Sequence, residues 1–319
     1  MNKVKLLAND GIDNTGKVLL EAQGFEVVTH KVEQENLINA INSEGYEALT
    51  VRSATKVRKE LIDACPSLRL IGRGGVGMDN IDVDYARSKG IAVYNTPAAS
   101  SNSVAELVFA HLYSMCRFIY DSNRQMPVLG STNFEDLKKK YAKGVELKGK
   151  TLGIIGIGRI GQAVAKIALG TGMRVICHDP FLKHVDITLD IFGFNPKPVI
   201  SLETVSLDEV LKQSDFITVH VPGGNLIGTE EIAKMKKGVC LVNASRGGVI
   251  DEGALLAALN SNHVAHAALD VFVNEPKPDE VLLSHTNISL TPHIGAATNE
   301  AQERIGVELA ELIINHFKK

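Results

Sequence analysis

The sequence predicts an α/β protein built from two doubly wound parallel-sheet domains. Short apolar runs alternate with helical patterns along the chain, the order expected of parallel strands buried between helices. One of these runs opens into a Gly-rich turn, G-x-G-x-x-G, that leads straight into a helix. The length, 319 residues, corresponds to about two domains at roughly 150 residues each.

The first part of the chain reads as a complete α/β unit. Strands are expected at Val4–Ala8, Phe25–Thr29, Ala48–Val51, Leu68–Ile71 and Ala92–Tyr94, with helices at Thr15–Gln23, Gln34–Asn42, Lys56–Ala64 and Val83–Lys89. Two loops here carry chemistry. Arg52, with Ser53 beside it, follows the strand ALTV, at the carboxyl end where parallel sheets hold ligands. The run Gly72-Arg73-Gly74-Gly75-Val76-Gly77 suits neither strand nor helix, but it exposes consecutive backbone N–H groups as a nest for an anion.

Ser103-x-x-Glu106 reads as a capping box ahead of a long amphipathic helix, Val104–Arg117, which accounts for Glu106 without catalysis. Residues 121–148 are polar and Lys-rich, a solvated arm able to reach a partner subunit. Then comes TLGIIGIGRIG, Thr151–Gly161. Gly156 allows the tight turn, Gly158 lets backbone approach a pyrophosphate, and Gly161 lets helix and strand pack closely. The helix start, Arg159-Ile160, offers N–H groups and partial positive charge to phosphates. The next apolar run, Arg174–Cys177, ends at Asp179, 23 residues beyond the first glycine. That is near the offset of about 20 for a carboxylate that binds a ribose diol. Pro180 and Phe181 follow, with no Arg to hold a 2′-phosphate, so NAD is expected rather than NADP.

Lys183–Pro198 reads as irregular, and Ser206-x-x-Glu209 opens a short helix. Phe216–Pro222 is a strand stopped by proline and two glycines, delivering His220, Val221 and Pro222. Gly238–Asn243 is the next strand, with Ala244, Ser245 and Arg246 leaving its end, and a helix at Glu252–Asn260. The strand Ala265–Val271 delivers Asp270, and Glu275 lies just past it. Ile288–Thr291 leads to His293, Ile294, Gly295 and Ala296. Thr298 caps a last helix with Ile305, Leu309, Leu312 and Ile313 on one face.

Arg246, Glu275 and His293 leave successive strand ends of one nucleotide-type sheet, the edge that holds a nicotinamide. The residue types suit two-electron redox chemistry at a hydroxyl-bearing carbon. A nicotinamide exchanges a hydride, so the protein has one proton to move and a substrate to hold. His293 is suited to the proton and Glu275 to orienting the imidazole. Arg246 is suited to gripping a carboxylate with two hydrogen bonds.

The rest of the sequence narrows the partners. A net charge of −3 gives no electrostatic case for nucleic acid or an anionic membrane. No apolar run approaches the roughly 18 residues of a membrane span. Cys65, Cys116, Cys177 and Cys240 are scattered in apolar contexts, as expected of free thiols in a reducing cytoplasm. No metal site is expected.

Six segments together resemble the D-isomer-specific 2-hydroxyacid dehydrogenases: Gly72–Asn80, Ser103–Leu107, Leu147–Gly161, Asn243–Glu252, Leu269–Pro276 and Thr291–Ala296. The resemblance covers nearly the whole chain. It implies a flavodoxin-like substrate domain, residues 1–98 and 292–319, with a Rossmann NAD domain, 99–291, inserted into it, and a homodimer. Arg246, Glu275 and His293 match the family's catalytic residues. Gly156, Gly158, Arg159, Ile160, Gly161, Asp179, His220, Val221, Pro222, Ala244, Ser245, Arg246, Asp270, His293, Gly295 and Ala296 match its cofactor contacts. Arg52, Ser53, Gly75, Val76, Gly77, Arg246 and His293 match its substrate side, and Arg73 adds charge suited to a phosphorylated acid. The segment HVPGGNLIG is shorter than the family's usual one, and Ser100 stands where an Asn is common. Longer relatives carry a C-terminal regulatory domain, and none is expected after Lys319, hence no serine feedback through one. The family also includes NAD-sensing corepressors, an expectation from a different functional class.

Overall fold

In the computed structural model, which describes residues 3–318, the chain divides into two compact units. One runs to Ser101 and resumes at Ala296, and the other is Asn102–Gly295.

The discontinuous unit holds five parallel strands: β1 Lys5–Ala8, β2 Glu26–Val28, β3 Ala48–Val51, β4 Leu70–Arg73 and β5 Ala92–Asn95. Their order is β2-β1-β3-β4-β5, the doubly wound order of a flavodoxin-like sheet. Successive residues on a strand point to opposite faces, and here both faces are covered. Leu7, Leu49 and Ile71 face one helical layer. Leu6, Ala48 and Leu70 face the other, which includes Leu309, Ala310 and Ile313 of the last helix, Asn299–Phe317. That helix starts where Thr298 Oγ1 accepts from Ala301 N at 3.2 Å. It crosses the first helix, Asn14–Ala22, closely: a Cβ on Gly16 would run into the Gly306 carbonyl.

The continuous unit holds a six-stranded parallel sheet: β6 Thr151–Ile155, β7 Arg174–His178, β10 Phe216–Val219, β11 Val239–Asn243, β12 Val264–Leu269 and β13 Ile288–Leu290. A two-stranded ribbon, β8 His184–Thr188 and β9 Val199–Glu203, lies between β7 and β10 in the chain. The order is β13-β12-β11-β10-β6-β7, so the winding reverses between β6 and β10 and opens a crevice at their carboxyl ends. Leu152, Ile154, Cys240 and Val242 face one core, and Ile155, Ile217, Leu241 and Leu269 the other.

Two expectations need correction. Lys183–Pro198 is not irregular throughout, because β8 pairs antiparallel with β9. Its alternation H-V-D-I-T buries Val185 and Ile187 on one face, and the short period is masked by the polar loop that follows. The long helix begins at Ser101, two residues before the expected cap. Ser103 is therefore inside its first turn, and its hydroxyl is turned to the Gly295 carbonyl at 2.7 Å instead of capping. Residues 121–148 are mostly exposed, as expected, and partly helical. They contain most of the helix Ile119–Leu129 and all of Phe134–Lys140, and Met126, Val128 and Phe134 are exposed.

Candidate active site

The glycine turn after β6 has the geometry a dinucleotide needs. Gly156 adopts φ 90°, and a Cβ there would lie 2.5 Å from the His220 carbonyl oxygen. A Cβ on Gly158 would meet nothing within 4 Å, so the backbone is open to a close ligand. Gly161 sits where any Cβ would collide with the Gly156 carbonyl. The helix Arg159–Gly170 then starts at Gly158 with no side-chain cap, leaving its first N–H groups for phosphates. Arg159 is exposed there and Ile160 half-buried. Asp179 directly follows β7 and reaches back to this turn, its Oδ2 accepting from Ile157 N at 3.1 Å. Its Oδ1 accepts from the N–H groups of Phe181 at 2.9 Å and Leu182 at 3.2 Å. The residues present fit a bound dinucleotide.

After β10, His220 Nε2 lies 3.0 Å from Thr218 Oγ1. Burial pushes this imidazole down to about 3, so it stays neutral at physiological pH. Val221 is half-buried and Pro222 exposed beside it. Beyond β11, Ala244 and Ser245 are buried and Arg246 is partly exposed. The buried Asn243 side chain shapes this turn, accepting from Ser245 N at 3.1 Å and donating to the Arg246 carbonyl at 2.9 Å. The Arg246 guanidinium donates to the Ser245 carbonyl at 2.7 Å. Gly247 passes so close to Phe272 that a Cβ would strike its carbonyl, which sets the Arg246 loop against the segment leading to Glu275.

Glu275 and His293 meet directly. Nδ1 of His293 lies 2.8 Å from Oε2 of Glu275, while Oε1 accepts from Phe272 N at 3.0 Å. A carboxylate only accepts, so Nδ1 carries the hydrogen and Nε2 is the atom presented outward. His293 adopts φ 54°, a left-handed conformation rare outside glycine. Its loop is held from inside. The Asp270 carboxylate, 1% exposed, accepts from Thr291 Oγ1 at 2.6 Å, Ile294 N at 2.8 Å and Gly295 N at 2.9 Å. Thr291 Oγ1 also lies 3.1 Å from Nε2 of the buried His111, whose Nδ1 is 2.9 Å from Ser289 Oγ. Sequence reading passed over His111, although it stands on the stripe Val104, Val108, Leu112, Met115 that the long helix buries.

The discontinuous unit presents its own polar edge. Asn80 donates to the carbonyls of Arg52 at 2.7 Å and Thr55 at 2.6 Å, tying together the loops after β3 and β4. Ser53 is exposed. The glycine run is a smaller nest than its composition suggests, because Gly74 N bonds the Val51 carbonyl at 2.9 Å and Gly75 N bonds Thr96 Oγ1 at 2.7 Å. Val76 and Gly77 keep amides with no acceptor among the described residues. Gly75 has φ 134°, and its missing side chain makes room for the Arg73 guanidinium, which donates to the Gly74 carbonyl at 3.0 Å. Ala296 accepts from Gln302 Nε2 at 2.7 Å.

Residues 109–295 match the family described as D-isomer specific 2-hydroxyacid dehydrogenase, NAD binding domain. A hydroxypyruvate reductase of Thermotoga maritima is 44% identical, over 99% of both chains. A D-3-phosphoglycerate dehydrogenase of Bacillus subtilis is 40% identical over 98% of this chain, which spans only 57% of that longer relative. Among solved structures, NAD+-bound 3-phosphoglycerate dehydrogenase of Entamoeba histolytica superposes with a TM-score of 0.78 at 27% identity, covering 100% of this chain and 96% of that one.

Proposed function

The chain belongs to the D-isomer specific 2-hydroxyacid dehydrogenases, and from that premise we propose that it oxidises 3-phospho-D-glycerate to 3-phosphohydroxypyruvate, the step that opens serine synthesis. It is an enzyme of NAD-dependent redox chemistry, and the cofactor accepts or returns the hydride when bound. The observation that carries the reading is the 2.8 Å bond between His293 and Glu275 beyond the carboxyl ends of a nucleotide-type sheet. His293 Nε2 takes the hydroxyl proton as the carbon is oxidised and returns it on reduction. Glu275 holds the ring in the tautomer that leaves Nε2 a base and stabilises the imidazolium once formed. Arg246 grips the carboxylate and polarises the carbonyl oxygen. The first turn after Gly158 holds the pyrophosphate and Asp179 the ribose diol. Arg52, Ser53 and the amides of Val76 and Gly77 serve the substrate's anionic end, with Arg73 supplying charge for the phosphate.

Replacing Glu275 by Gln is expected to lower kcat by about tenfold to a hundredfold while NAD affinity holds. Steady-state rates with a nucleotide titration check this.

A second reading has its own support. The hydroxypyruvate reductase match runs end to end on both chains, and the Arg73 guanidinium is turned onto its own loop. Under that reading the enzyme reduces hydroxypyruvate or glyoxylate and needs no phosphate site. Arg73→Ala separates the two. If phosphoglycerate is the substrate, its KM rises about tenfold or more with little change for D-glycerate. Equal effects on both acids favour the reductase.

A homodimer in the cytoplasm is the expected form. The exposed Ile119, Met126, Val128 and Phe134 are apolar surface of the kind a subunit contact covers. Among the described residues no helix is long and apolar enough to cross a membrane.

A further inference from the structure

We propose that His111 is a positioning residue for proton transfer, acting through Thr291 and Asp270 on the backbone of the loop that carries His293. The proposal rests on the reading of His293 as the acid–base group.

Proton positions follow from the partners. An ionised Asp270 only accepts, so the 2.6 Å bond is donated by the Thr291 hydroxyl and uses that group's one hydrogen. His111 Nε2, 3.1 Å from the same oxygen, therefore donates to it. Burial lowers the affinity of His111 for a second proton, only partly opposed by the nearby charge of Asp270, so the ring is neutral at pH 7. Its Nδ1 then accepts from the Ser289 hydroxyl at 2.9 Å. The donors run one way, from Ser289 through His111 and Thr291 to Asp270, and each bond polarises the next.

The direction matters because of where the chain ends. Asp270 spends its remaining capacity on the N–H groups of Ile294 and Gly295, the two residues after His293. A left-handed non-glycine residue persists only when its surroundings over-determine it, and these bonds act with those from His293 N to the Thr291 carbonyl at 3.1 Å and from its ring to Glu275 to hold φ at 54°. Without a donor at position 111, the Thr291 oxygen loses one of its two side-chain partners, and the hydrogen bond it gives Asp270 is less firmly aimed. A small displacement of the His293 imidazole then slows proton transfer while leaving nucleotide and acid binding intact.

The test compares His111→Gln, His111→Asn and His111→Leu in the full chain with NAD. Gln places an amide nitrogen near the Nε2 position and keeps the donor to Thr291, whereas Asn mimics the Nδ1 side and does not. Expected is a fall in kcat of about tenfold for Asn and Leu, with KM for acid and NAD unchanged, and recovery in Gln to within about threefold. Thr291→Val is expected to reproduce the loss, and combining it with His111→Leu to add little, since both cut the same link. Gln behaving like Asn and Leu, or multiplicative losses in the double variant, overturns the proposal. If the Leu variant fails to fold, Gln against Asn and Thr291→Val decide it. Turnover that survives His293→Ala removes the acid–base reading itself. Turnover lost in that variant but normal in His111→Asn removes this proposal alone.

Discussion

Replacing His293 by Ala is expected to cut kcat by about a hundredfold to ten-thousandfold, which is about 3–5 kcal/mol of barrier, while NAD binds as before. The reasoning is local. The Glu275 carboxylate orients the His293 imidazole through the 2.8 Å bond to Nδ1. The nucleotide turn is built from other residues, Gly156, Gly158, Gly161 and Asp179, none of which bonds to the imidazole. Turnover and affinity are therefore expected to separate. Initial rates of NADH formation give the first and a calorimetric NAD titration the second. Activity within about tenfold of the unaltered enzyme would remove His293 from the chemistry, and lost NAD binding would make its role one of structure.

Gly161→Ala is expected to act on both stability and cofactor affinity. A Cβ at this position collides with the Gly156 carbonyl and lies 3.2 Å from Cγ2 of Ile154, so helix and turn have to separate. Overpacking of this kind costs about 1–3 kcal/mol. The same separation moves the helix start away from the phosphate position, and NAD affinity is expected to fall by about tenfold or more. Gly170→Ala is the matched comparison. It lies on the same helix, a Cβ there meets nothing within 4 Å, and the change is expected to be neutral or slightly stabilising. Thermal melts with and without NAD measure both effects. If the two alanines shift the melt equally, close packing at the turn is not what Gly161 provides.

The strands of both sheets were legible because a parallel sheet covered on two faces leaves nearly continuous apolar runs, as in Ala48–Val51 and Val239–Asn243. The helix Leu207–Gln213 was legible from its cap, where Ser206 and Glu209 bond reciprocally. The same motif misled at Ser103, since an S-x-x-E spacing says nothing about a tertiary acceptor such as Gly295. The β8–β9 ribbon was hidden because β8 has only two buried positions, Val185 and Ile187, and β9 has none to betray it. Strand-end position marks Asp270 as a candidate for the site. It does not reveal that three donors already converge on its carboxylate, because those donors lie 21 to 25 residues away in the chain. His111 was illegible for a similar reason. A histidine on a buried stripe becomes informative only when Ser289 and Thr291 are seen on either side of it.

The helix Asn299–Phe317 covers one face of the five-stranded sheet, yet it leaves the ribosome after every residue of Asn102–Gly295. Until then Leu6, Leu20 and Leu70 lack the cover of Leu309 and Ile313. Vectorial synthesis therefore lets the nucleotide unit form while the earliest-made segment still has one apolar side uncovered.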